Sequence, residues 1–136
     1  MEYKLSDLLN IKYGKSQKRV ENSDGNYPII GTGGIMGFSS EYLYDKPSVL
    51  IGRKGSIQNI YFIDKPFWTI DTLFYTEINK EIVNPKFIYY KLKNMDMTQF
   101  DEGTSVPSLR TATLNEIILD IPSKTIQFKT VQVLNS

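Results

Sequence analysis

Between Val49 and Tyr75 the chain reads as strand, tight basic turn, strand, aromatic corner and strand, and this succession constrains the fold more than any other feature. Val49-Leu50-Ile51 and Ile57 through Ile63 are rich in β-branched and aromatic residues, as pleated, half-buried strands require. Gly52 and Gly55 bracket Arg53 and Lys54 in a reversal that needs residues tolerant of positive φ. Two adjacent cations are therefore expected at the tip of a stiff hairpin, where a loop on a rigid scaffold can meet an anionic partner such as a phosphate. Pro66-Phe67-Trp68 forms the aromatic corner.

With 136 residues the chain is long enough for about one domain with a core that stands without staples. The absence of cysteine excludes disulfides and thiolate metal sites and fits a reducing cytoplasm. The absence of histidine removes the commonest general base, the usual Ser or Cys triads and the usual zinc ligands. No metal site and no cofactor are expected. The start, Met1-Glu2-Tyr3-Lys4, has no apolar signal core, and no stretch approaches the roughly 20 apolar residues of a membrane span, so a soluble cytoplasmic protein with no membrane partner is expected.

A net charge of +1 hides an uneven distribution. Lys4, Lys12, Lys15, Lys18 and Arg19 outweigh Glu2 and Asp7 at the start, whereas Asp96, Asp101 and Glu102 make the later third locally acidic. A basic patch on a near-neutral whole can bind nucleic acid with a modest non-specific pull, while scattered solvated lysines give the same totals.

Along the chain there is no internal repeat or low-complexity tract. Ser6 is expected to cap a short turn through Asp7-Leu8-Leu9, and Gly14 to Gly25 reads as a polar loop. Gly31-Thr32-Gly33-Gly34-Ile35-Met36-Gly37 holds four glycines in seven residues, which frees backbone amides or admits close approach of another backbone. Asn84-Pro85 opens the clearest helix, with Asn84 as N-cap and Phe87, Ile88 and Leu92 as its buried stripe, to about Met95. Thr113 with Glu116 has capping-box spacing before a strand from Ile117 to Ile121. Many short strands with two modest helices predict an α+β domain on a twisted, mostly antiparallel sheet. Phe67, Trp68, Leu73, Phe74 and Ile63 are expected to build its core.

Catalytic motifs fail one by one. Glycines 31, 33, 34 and 37 miss the dinucleotide-binding spacing because the last falls one place late and no acidic residue closes a βαβ unit. Asn84-Pro85-Lys86-Phe87 differs from the Asn-Pro-Pro-Tyr/Phe signature of amino-methyltransferases at its third position. Glu2-Tyr3-Lys4 has the acidic-x-Lys half of a nuclease motif without an upstream aspartate, and Asp101-Glu102 lies beside Gly103 in a loop. A non-catalytic chain is expected.

What remains is a set of polar and basic loops: Gly14 to Arg19, Gly31 to Gly37, Gly52 to Ser56 and Gly103 to Thr111. In the last, Thr104, Ser105, Ser108 and Arg110 surround Pro107. Hydroxyl and backbone N–H groups position phosphates, and Arg can also fork onto a guanine edge, although each hydroxyl taken alone more commonly satisfies local backbone. Lys15, Lys18, Arg19, Arg53, Lys54 and Arg110 are the candidate cationic contacts, with Thr32, Gly33, Gly34, Ser56, Thr104 and Ser105 as candidate polar and backbone contacts.

The ordered set Lys12-Tyr13-Gly14-Lys15, Pro28-Ile29-Ile30-Gly31-Thr32-Gly33-Gly34, Leu50-Ile51-Gly52-Arg53-Lys54-Gly55-Ser56, Pro66 to Phe74 and Gly103-Thr104-Ser105-Val106-Pro107-Ser108-Leu109 resembles a target recognition domain of a type I restriction-modification specificity subunit over nearly the whole chain. The resemblance implies a module that reads double-stranded DNA. It would direct a separate methyltransferase subunit and, through it, a restriction subunit. Complete specificity subunits of this kind carry two such domains on long helices, each reading one half of a split site. On this pattern residues 1–122 form the recognition domain and residues 123–136 begin a spacer helix along Ile126, Val131 and Leu134. So short a tail predicts a mainly monomeric chain that binds a half-site weakly and needs a second specificity chain or a full spacer for tight binding. The competing expectation is a protein-interaction module that occupies the methyltransferase without reading DNA.

Overall fold

Val49, Leu50 and Ile51 alternate between two cores, because successive side chains of a strand point to opposite faces. Residues 1–135 are described by a computed structural model. Its elements run β1 (Glu2–Lys4), α1 (Leu5–Leu8), β2 (Leu9–Lys12), β3 (Tyr27–Gly31), β4 (Gly34–Ser39), β5 (Ser48–Gly52), β6 (Ile60–Ile63), β7 (Trp68–Thr69) and β8 (Leu73–Ile78). They continue with α2 (Pro85–Lys93), a 3-10 turn at Met97–Phe100, α3 (Thr111–Asn115), β9 (Ile118–Asp120) and α4 (Lys124–Asn135). The class is α+β, as expected, but the strands sort into three sheets.

The central sheet is antiparallel in the order β2-β8-β5-β6. Val49 and Ile51 of β5 face the larger core with Phe74, Phe87, Ile88, Leu92 and Met97, so α2 and the 3-10 turn cover one face. On the other face Leu50 joins Ile30, Ile63, Phe67 and Leu73, which links the central sheet to a second sheet of order β4-β3-β7. In that sheet β3 pairs antiparallel with β4 and parallel with β7, and Ile29, Val20 and Trp68 close a third cluster behind it. Phe67 and Trp68 of the aromatic corner are thus buried as expected, and β1 pairs antiparallel with β9 in a separate two-stranded sheet.

Ladder pairing between β5 and β8 stops after Ile51↔Phe74 and Gly52↔Leu73. Beyond it, side chains replace the ladder: the buried Thr76 hydroxyl accepts from Val49 N at 3.0 Å and donates to Val49 O at 2.8 Å, while Ser48 Oγ accepts from Thr76 N at 2.9 Å. Thr76→Val keeps the shape but leaves Val49 N without its partner in the core and Val49 O with only a long, 3.5 Å contact from Ser48 Oγ. It is expected to cost about 2 kcal/mol in urea unfolding, whereas Thr→Val at an exposed strand site costs little.

α2 follows its sequence signature, with Asn84 Oδ1 accepting from Lys86 N at 2.8 Å and Phe87 N at 3.2 Å, and with Phe87, Ile88 and Leu92 buried. Other expectations need correction. α1 begins at Leu5, and Asp7 rather than Ser6 meets its first turn by accepting from Lys4 N at 3.0 Å, since burial of Leu5 and Leu8 sets the phase. The strand foreseen from Ile57 starts only at Ile60, because Asn59 N donates to Ser56 O at 3.2 Å and closes a turn first. Thr113 lies inside α3, bonded to the Glu102 carboxylate, and Glu116 pairs with Lys4 at 3.0 Å instead of completing a box. In α4 the inward residues are Gln127 and Val131, one turn apart, while Ile126 and Leu134 are exposed. Among the described residues no helix is long and apolar enough to cross a membrane.

Candidate nucleic-acid interface

Five loops meet at one end of the two larger sheets, and hydrogen bonds join them into one framework. Lys15 N donates to Thr69 O at 2.9 Å and Trp68 Nε1 donates to Lys15 O at 2.9 Å, so the Tyr13–Lys15 segment lies on the end of β7. Gly14 is required there, since a Cβ would stand 1.9 Å from Ile70 O. At the turn between β3 and β4, Thr32 O accepts from Asn59 Nδ2 and from the Tyr61 hydroxyl, both at 2.6 Å. The basic turn is tied on both sides: Arg53 N donates to Thr72 O at 2.8 Å, Leu109 N to Arg53 O at 2.9 Å and Gly55 N to Pro107 O at 3.0 Å. Gly55 has φ +87, as expected, whereas Gly52 ends β5 without a positive φ and is required instead because a Cβ there would stand 2.5 Å from Ser56 O.

The expected free tip at Arg53 and Lys54 is therefore a seam between loops. The Arg53 guanidinium donates to Asp71 O at 2.9 Å and stands 5.1 Å from the centre of the Tyr13 ring, which itself meets Phe74 edge-on at 5.3 Å. Arg53 is consequently half-buried and committed, while Lys54 and Arg110 are exposed. Lys54 forms a backbone bridge with Ser108. Two adjoining grooves share Lys54, Ser108 and Arg110: one of about 360 Å³ adds Thr104 and Ser105, and one of about 430 Å³ adds Tyr13 and Arg53. Ion pairs elsewhere neutralise Lys4, Lys12 and Lys46, but among the described residues none neutralises Lys54 or Arg110. The arrangement presents hydroxyls, amides and two exposed cations in one concave strip that also holds the Glu102 carboxylate, itself bonded to Thr113, and the cations and donors are suited to phosphate oxygens.

The structure thus brings together Arg53, Lys54, Thr104, Ser105 and Arg110, with exposed Ser56 on the adjacent turn. Thr32, Gly33 and Gly34 form a hairpin turn hinged to that turn through Asn59. Lys18 and Arg19 are placed differently. Their turn is held by Ser40 N donating to Val20 O at 3.0 Å and by a bridge from Glu21 to Ser39. Ser39 lies at the end of β4 away from Gly34, roughly 17 Å along the strand by the usual rise per residue.

Sequence reasoning passed over Tyr13 and Asp101. Tyr13 stood inside a motif, and only its long-range stacking on Arg53 marks it out. Asp101, one of the pair considered for acid chemistry, staples its own loop: Oδ1 accepts from Gly103 N at 2.8 Å and Ser108 N at 2.9 Å. These amides, Ser108 foremost, hold its carboxyl below the ordinary value of 3.8. A lowered folded value means that the staple acts in full above the ordinary carboxylate range and is lost as pH falls through the folded value. The amide proton shift of Ser108 is expected to titrate with a midpoint below 3.8, and Asp101→Asn to abolish that titration.

The model of the type I restriction modification DNA specificity domain matches residues 1–136. The chain belongs to this family. A protein named as a type I restriction enzyme specificity subunit of Haemophilus influenzae is 28% identical over 97% of this chain, and a Mycoplasma pneumoniae protein named as the N-terminus of a type I specificity subunit is 24% identical over 98%. This specificity domain spans 36% of the first of these relatives and 75% of the second. In fold it is similar to a type I restriction-modification S subunit from M. genitalium, with a TM-score of 0.86 at 20% identity, over 99% of this chain and 38% of that one. A TM-score of 0.78 at 13% identity relates it to an HsdS subunit from Thermoanaerobacter tengcongensis, over 99% of this chain and 36% of that one.

Proposed function

We propose that this specificity domain reads one half of a two-part site in double-stranded DNA through its five-loop end. On this reading it directs a separate methyltransferase subunit and, through it, a restriction subunit to that site in the cytoplasm. The observation that carries the reading is the pair of grooves around Lys54 and Arg110, two exposed cations that form no ion pair among the described residues although the Glu102 carboxylate, bonded to Thr113, lines one groove with them, in a chain of the DNA specificity domain family. Lys54, Arg110, Thr104, Ser105 and Ser56 take phosphates, and Lys15, with Lys18 and Arg19 further along its loop, extends the positive edge. Arg53 holds Tyr13 in place as well as supplying charge. The Thr32-Gly33-Gly34 turn approaches the duplex by its backbone. Residues 1–122 act as the reading domain, and residues 123–136 lead into the helix that sets its distance from a second recognition domain or a second specificity chain.

Selection of bound sequences from random duplexes, followed by affinity measurements at several salt concentrations, tests the reading. A selected half-site with steep salt dependence is expected, and binding that is indifferent to both sequence and salt would overturn it. Chemistry belongs to the partner subunits: the purified chain with a methyl donor, or with magnesium and ATP, is expected neither to methylate nor to cleave DNA.

A further inference from the structure

At the outer end of the β3–β4 hairpin, whose turn is tied through Asn59 to the basic turn, two large apolar side chains are exposed: Ile35, 63% exposed, borders a groove with Tyr61 and Ile63, and Met36, 52% exposed, rests its Sδ over Gly31. Their exposure follows from backbone irregularity. Pairing runs Ile29↔Gly37 and then Ile30↔Ile35, so Met36 is an extra, unpaired residue in β4, and such a bulge re-aims the side chains around it. Gly34 at φ +111 makes the turn, and a Cβ on Gly33, Gly34 or Gly37 would meet nothing within 4 Å, so the ribbon is slender and open on several sides. It is also stiffly mounted, because Thr32 O is gripped by Asn59 and Tyr61, and Asn59 N is bonded to Ser56 O beside the basic turn.

Phosphate oxygens give such side chains nothing to bind. A two-stranded ribbon, however, fits the major groove, and the one apolar group exposed on base edges there is the thymine C5-methyl. We propose that the β3–β4 tip enters the major groove and that Ile35 and Met36 pack against thymine methyl groups, making them specificity-determining residues while the neighbouring cations hold the backbone. This rests on the reading of the chain as a DNA-recognition domain, and it assigns part of the sequence information to apolar contact rather than to hydrogen bonds.

The test removes single methyl groups from the DNA. In a duplex selected by the whole chain, each thymine is replaced in turn by deoxyuridine, which keeps base pairing and loses only the methyl. The unaltered chain is expected to lose about fourfold in affinity at one or two positions, the worth of a buried methyl-sized group. The I35A/M36A variant is expected to lose that sensitivity while keeping the same salt slope, and I118A, which alters an exposed isoleucine on β9, is expected to behave as the unaltered chain. Both altered tip residues are exposed, so thermal melting of the variant is expected to match. No deoxyuridine-sensitive position in the unaltered chain, or full sensitivity retained by I35A/M36A, would overturn the proposal and leave DNA reading intact. Failure of the unaltered chain to select any sequence would instead overturn the underlying reading, and this proposal with it.

Discussion

Replacing Lys54 and Arg110 together by alanine is expected to make the dependence of log affinity on log salt shallower by about 1.8, at ~0.9 for each lost phosphate contact. Between roughly 50 and 200 mM salt, the fall in affinity of the double variant should then be smaller than that of the unaltered chain by on the order of tenfold. The loss should be similar for selected and unrelated duplexes, because phosphate contacts carry no sequence information. This pair gives a cleaner measurement than Arg53 with Lys54. Arg53 also bonds Asp71 O and stacks on Tyr13, so its removal loosens two loops along with the charge. Lys54 and Arg110 are exposed and lack an ion-pair partner among the described residues, and stability should change by no more than ~0.5 kcal/mol. An unchanged slope in a titration over several salt concentrations would remove both residues from the backbone contacts.

Local chemistry was legible wherever one short segment decides the outcome. Asn84-Pro85 starts a helix by itself, and the aliphatic run Val49-Leu50-Ile51 makes a strand buried on both faces. Gly55 reveals its positive φ because no other residue accepts it cheaply. The candidate site was legible as a list of loops but not as a shape. Nothing near Arg53 in sequence announces that Asp71 O and the Tyr13 ring will hold it, since those partners arrive through the pairing of β5 with β8. Lys18 and Arg19 belong to the same polar loop as Lys15, yet they sit at the other end of the hairpin because Val20 is buried beside Ile29 and Trp68. Gln127 shows the same limit in α4. A polar residue inside the buried stripe breaks the apolar pattern, and it is accommodated because it accepts from Asn84 N at 2.7 Å and donates to Ile82 O at 3.0 Å and Pro122 O at 2.9 Å. Long-range satisfaction of this kind cannot be read from spacing.

Gly103→Ala is expected to abolish most DNA binding while leaving the fold intact. A Cβ at this position would stand 1.8 Å from Val106 O and 2.9 Å from Ser108 N, both backbone atoms that cannot swing aside as a side chain can. The loop must open to relieve the overlap. Opening it pulls Gly103 N and Ser108 N away from Asp101 Oδ1 and separates Glu102 N from Ser108 O, now 2.9 Å apart. Thr104 and Ser105 then leave the groove they share with Lys54 and Arg110. Because these groups act on a duplex only when held together, losing their shared geometry should cost more than deleting either hydroxyl, on the order of tenfold or more in affinity. The core should not feel the change. Residues 101–107 are exposed or half-buried, and Leu109, the nearest residue packed into the larger core, is bonded through Arg53 rather than through Gly103. Unfolding in urea should therefore keep its midpoint and slope, while binding to a selected duplex falls. Asp101→Asn should behave as a milder version, since an amide oxygen can still accept from one or both amides. Equal affinity for Gly103→Ala and the unaltered chain would show that the Gly103–Arg110 loop lies outside the DNA interface, and the phosphate contacts would then have to come from the Lys15 and Lys54 segments alone.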